Sequence, residues 1–122
     1  MAVSVKDLIT KREKIKAAKQ TLYDVETSIG TITCRVPSIE LISEVWDMKD
    51  SGDGNKQLVF QCCVEPNLKD KDLLEAYDVA EPFDIVSEIF KAGEVAKLAG
   101  HLLKLAGFTD NITSRIHKEI KN

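Results

Sequence analysis

The sequence predicts a mainly α, α+β fold: a compact helical cluster of about five to six helices with one N-terminal β-hairpin. Three observations lead there. Apolar residues recur at helical spacing through most of the chain beyond residue 38, while residues 21 to 37 switch to Thr, Val, Ile and Tyr around the turn residues Ser28 and Gly30. The 122 residues, 43% hydrophobic and 30% charged, have the size and makeup of one soluble domain with a single core. The expected domain, 1–122, divides into a basic N-terminal helix (1–20), the hairpin (21–37), a helical core (38–107) and a charged C-terminal helix or tail (108–122).

Residues 1 to 20 carry six basic and two acidic side chains, whereas residues 21 to 107 carry eight and sixteen. A short basic arm therefore precedes an acidic body, an arrangement suited to an acidic partner, a nucleic acid or another copy of the same protein in head-to-tail fashion. Val5, Leu8, Ile9 and Ile15 give the arm only a thin apolar stripe, so it firms up on a partner, and Lys11, Arg12, Lys14 and Lys16 are candidate docking residues. The plainer reading of those bases is a solvated helix face. Aromatic residues that stack on bases are missing from the arm, which disfavours nucleic acid.

In the hairpin, Tyr23, Val25 and Thr27 share one face and Ile32, Cys34 and Val36 alternate after the turn. An isolated hairpin is marginal, so this one is expected to pack on the helices. Pro37 ends the second strand and Ser38 caps a helix with Ile39, Ile42, Val45 and Trp46 inward; Trp46 is expected in the core. The Asp- and Gly-rich loop from Asp47 to Asn55 invites a calcium reading that its spacing refuses. With Asp47 at position one of an EF-hand loop, Lys49 falls at three and Leu58 at the twelfth position, where a glutamate is required.

Lys56 to Val64 reads as a buried helix ending at Pro66-Asn67, Lys69 to Tyr77 as a short acidic helix, and Pro82 as the start of the next. Phe83, Val86, Ile89 and Phe90 recur at helical spacing and belong in the core. The last long helix holds glycines at every seventh residue, Gly93, Gly100 and Gly107. Gly107 falls where the apolar pattern stops and reads as a left-handed C-cap. Gly93 and Gly100 lie at the seam between the apolar arc and the polar arc of Glu94, Lys97, His101 and Lys104. With Ala96 and Leu103 they form a candidate helix-accepting groove, unless the protein's own hairpin or N-terminal helix fills it.

No chemistry emerges from motif searching. Nucleophile elbows, phosphate-binding glycine loops and zinc-protease helices are lacking, and no residue is singled out as catalytic, cofactor-binding or metal-ligating. Cys34, Cys62 and Cys63 read as packed, reduced thiols. With neither a long apolar span nor a secretory signal, the expectation is a cytoplasmic protein without a membrane partner.

Several phrases resemble a known family. They are Cys63-Val64-Glu65-Pro66-Asn67-Leu68, Leu73-Leu74-Glu75-Ala76-Tyr77, Ile85-Val86 with Ile89-Phe90, Ala92-Gly93-Glu94-Val95, Leu98-Ala99-Gly100 and the terminal Glu119-Ile120-Lys121-Asn122. In that order they are similar to tail assembly chaperones of contractile-tailed phages and defective prophages, of the XkdN type. The resemblance implies a protein that is no enzyme: it binds the tape measure protein, keeps it soluble in the bacterial cytoplasm while tail tube protein polymerises, and is absent from the virion. It further implies a frameshifted longer form, for which the adenine-rich codons of Lys121-Asn122 offer a slippery site. The alternative is a small DNA-associated regulator using the basic N-terminal arm; an enzyme of unrecognised type is a third, weaker reading.

Overall fold

The computed structural model describes residues 2–48 and 50–108. The expected charged C-terminal segment, apart from Phe108, His117 and the Lys121-Asn122 end lie outside the described residues, as does Lys49.

Seven α-helices and a three-stranded sheet make up the described chain. In order they are α1 (Val5–Thr10), α2 (Arg12–Lys19), β1 (Leu22–Thr27), β2 (Gly30–Arg35), α3 (Ile39–Asp47), α4 (Gly54–Cys62), β3 (Cys63–Glu65), α5 (Lys71–Tyr77), α6 (Ile85–Ile89) and α7 (Ala92–Leu105). A 3-10 turn, Pro82–Asp84, leads into α6.

The sheet is antiparallel in the order β1-β2-β3. Leu22 pairs with Arg35 and Thr27 with Gly30 across the tight turn, whose Gly30 holds a φ of 122° that side chains avoid. Ser28 and Ile29 form that turn.

Three expectations are corrected here. The described residues form seven helices and three strands, where about five to six helices and a lone hairpin were expected. The extra strand comes from the stretch read as the end of a helix: α4 stops at Cys62, and Cys63 turns extended at φ −73° and ψ 117° to pair with Cys34 of β2. Two physical causes combine. Pro66 disfavours helix at the residue before it, and the free edge of β2 offers backbone partners that a solvated helix end lacks. The N-terminal helix is likewise two short helices meeting at Lys11, neither burying a residue.

The third correction concerns α3. Ser38 caps it by accepting a hydrogen bond from the Leu41 N–H (3.2 Å), and Ile42 and Val45 face the core as expected. Ile39 and Trp46, however, are 66% and 53% exposed. Trp46 instead meets Phe108 edge to face, with ring centroids 5.6 Å apart and an interplanar angle of 88°. A helix of nine residues has room for one narrow inward stripe, and Ile42 and Val45 occupy it.

The core is built on α4, of which only Asn55 is exposed. Leu58, Val59, Phe60 and Cys62 are buried against α3, α6, α7 and the 3-10 turn. Ile32 and Cys34 of β2, Leu68, Ile85 and Val86 of α6, and Val95, Leu98, Ala99 and Leu102 of α7 complete one cluster. Gly54 opens α4 against α3 so closely that a Cβ there would lie 2.9 Å from the carbonyl oxygen of Val45.

That contact makes a prediction. Gly54→Ala is expected to lower stability by about 1–3 kcal/mol despite the better helix propensity of alanine, because the clash is with backbone. Urea unfolding of the two proteins measures it; equal or higher stability of the variant contradicts it.

Candidate partner-binding surface

Helix α7 presents two faces of unlike character. Inward, Val95, Leu98, Ala99 and Leu102 are buried in the core. Outward, Gly93, Ala96 and Gly100 are exposed, with Leu103 half-buried at the border. A Cβ added at Gly93 or at Gly100 meets no described atom within 4 Å. Among the described residues, neither the hairpin nor α1–α2 fills this seam. A shallow cleft of about 250 Å³ adjoins it, lined by Gly52, Asn55, Lys56, Ser87, Ala92, Val95 and Ala96. The spacing of small residues on α7 was visible in the sequence; the cleft was not, since loop, α4 and α6 residues distant in the chain build it.

Both ends of α7 are fixed. At its start the hairpin turn is tied to Glu94, whose carboxylate accepts hydrogen bonds from the Ser28 backbone N–H (2.8 Å) and the Ser28 hydroxyl (2.6 Å). These bonds hold the Glu94 carboxyl below its ordinary pKa. The sequence offered no signal for this tie, because the two residues are 66 positions apart. At the other end Gly107 takes a φ of 100°, its N–H donating to the Lys104 carbonyl (2.9 Å) while Phe108 N–H donates to the Leu103 carbonyl (2.9 Å). This is the Schellman closure that the left-handed C-cap reading expected. His101 is exposed on the outer face.

A second anchor holds the 3-10 turn that leads into α6 to α4. Lys56 Nζ bridges Asp84 (2.9 Å) and Asp53 (3.1 Å) and lies 5.6 Å from the centre of the Phe83 ring. Asp84 is held below the usual carboxylate range by the Lys56 hydrogen bond, and Lys56 is raised by the same pairing.

The four basic candidates, Lys11, Arg12, Lys14 and Lys16, are all exposed on the α1–α2 arm, on a different element from the α7 seam. The three thiols, by contrast, are buried. Burial pushes Cys62 up to about 12. Cys63 is raised by its hydrogen bond with Cys34 and by burial, so Cys62 and Cys63 stay protonated at neutral pH. Among the described residues no three His, Cys, Asp or Glu side chains are placed to share a metal ion, and no helix is long and apolar enough to cross a membrane.

Comparison with known proteins gives two matches. The family model described as phage XkdN-like tail assembly chaperone protein matches residues 43–121. Among solved structures, a crystal structure of the protein yqbn is similar with a TM-score of 0.58 at 19% identity, covering 73% of this chain and 87% of that one; this likeness concerns the fold alone. No curated protein matches the chain.

Two predictions follow from α7. Gly100→Ala is expected to raise stability by roughly 0.5–1 kcal/mol, since the position is mid-helix with open space around it; a loss in thermal or urea unfolding contradicts the open seam. The depressed carboxyls also set a pH dependence. Both groups have a folded pKa below the unfolded value, so their contribution is complete above the ordinary carboxylate range and is lost as pH falls through the folded values. Unfolding midpoints are expected to drop on acidification below about pH 4.5, and Glu94→Gln is expected to flatten that drop.

Proposed function

We propose that this chain, which belongs to the phage XkdN-like tail assembly chaperone family, works by presenting the outer face of α7 to a helical stretch of the tape measure protein and keeping that client soluble until the tail tube closes around it. The family is one of chaperones, not a known enzyme family, and its partners are proteins of tail assembly. The finer assignments are our reading: the tape measure protein as client, tail tube protein as the component that displaces the chain, the bacterial cytoplasm as its place of work and absence from the finished particle.

The observation that carries this reading is the unfilled seam of Gly93, Ala96 and Gly100 on a helix whose other face is fully committed to the core. Glycine there lets a partner backbone come close, Leu103 at the border and the cleft beside Ala96 supply apolar surface, and the flanking Lys97, His101 and Lys104 keep the free protein wet. A small patch of this kind suits exchange. Affinity stays moderate, so that a polymerising competitor can strip the chaperone away.

Co-expression with the tape measure protein of the same phage or prophage tests it. The client is expected to shift to the soluble fraction and to co-purify with the chain, and Gly100→Leu, at a position where an added Cβ meets no described atom within 4 Å, is expected to keep the fold, as a circular dichroism melt checks, and to weaken co-purification by about tenfold. A client that stays insoluble and unbound beside the folded chain overturns the chaperone reading; rescue that Gly100→Leu leaves unchanged overturns the α7 surface while keeping the role.

A further inference from the structure

The α1–α2 arm leaves its apolar side chains in water. Leu8 and Ile9 are 53% and 55% exposed, Val3, Val5 and Ile15 are exposed with them, and the bases Lys11, Arg12, Lys14, Lys16 and Lys19 interleave the stripe. The arm's net charge is +4 over residues 1 to 20. Such a surface asks for a partner that is both acidic and apolar. A phosphate backbone satisfies only the first demand.

The chain itself carries the complementary surface. Residues 69 to 81 hold Asp70, Asp72, Glu75, Asp78 and Glu81 against the bases Lys69 and Lys71, a net charge of −3, and all five acids are exposed. Beside Glu75 and Asp78 lies a groove of about 480 Å³, lined also by Leu74, Val79 and Pro82 and by the bases Lys69 and Lys71. Tyr77, 45% exposed, stands on the same short helix. Neither patch suits itself: two arms repel, and so do two α5 faces.

We infer that the α1–α2 arm of one copy docks on the acidic α5 face of a second copy, seating Leu8, Ile9 and Ile15 over Leu74, Val79 and Pro82. Unlike patches meet in this contact. Reciprocal exchange of arms closes a dimer, whereas one-way docking continues into a ring or an open chain of copies. Salt weakens the contact because the matched charges sit at the surface, and the apolar stripe supplies what salt does not remove. The arm then gains order from the assembly rather than from its own body.

The test is the weight-average mass of the full chain by sedimentation equilibrium, with charge-reversed partners. Wild type is expected to exceed its monomer mass of 13.6 kDa at high protein concentration in about 50 mM salt and to fall toward it in about 500 mM. Arg12→Glu with Lys16→Glu makes an acidic arm, and Asp72→Lys with Glu75→Lys makes a basic α5 face; each double variant alone is expected to associate at least about tenfold more weakly. All four positions are exposed, and circular dichroism melts verify that the variants fold. An equal mixture of the two variants is expected to associate again, since each then offers the patch the other lacks. A wild type that stays monomeric at low salt, association that survives both reversals, or a mixture that stays apart overturns the inference. So does wild type that remains a monomer yet shifts on added duplex DNA, which would make the arm a nucleic-acid contact.

Discussion

Everything in this fold leans on the near-complete burial of α4. A helix with a single exposed residue, Asn55, has neighbours on every side, and α3, α6, α7 and the 3-10 turn are those neighbours. Its entrance is fixed by the approach of Gly54 to the Val45 carbonyl, and its exit by Cys63, which leaves the helix to pair with Cys34. Each surrounding element spends one face on α4 and has the opposite face to spare. The cost of exposing Leu58 or Val59 to water, about 1.5–3 kcal/mol each, is what makes the arrangement compulsory.

The polar ties act at the margin of this core. Ser28 and Glu94 anchor the hairpin turn to the first turn of α7, and Lys56 joins Asp53 and Asp84 where α4 meets the 3-10 turn. Such surface bonds add little to stability, yet they fix how α7 is presented. Its outer stripe is therefore held on a fixed support, the condition under which a shallow patch binds at modest entropic cost.

Local chemistry was legible in the sequence where it decides structure locally. Ser38 caps α3, Gly107 closes α7, and the alternation of Ile32 and Cys34 places both in the core. What escaped depends on residues distant in the chain. The conversion of Cys63–Glu65 to a strand needs the open edge of β2, the outward Trp46 needs Phe108 62 positions later, and Ile39 loses its inward place because a short helix holds one narrow stripe. The same divide runs through the surfaces. Gly93, Ala96 and Gly100 could be read as a seam, but whether anything covers it is tertiary information; α5 was legible as a short acidic helix, but the groove that Leu74, Val79 and Pro82 line beside Glu75 and Asp78 was not.

The central claim is that α7, committed inward to the core, receives the client on its outer side. Photo-crosslinking tests this most directly, with a photoreactive residue placed at Ala96 or, as a control, at the exposed Glu44 of α3, in complexes with the tape measure protein. The account predicts a covalent client adduct from position 96 and none from position 44. A complex that forms but yields no adduct at 96, or equal adducts at both positions, would contradict it.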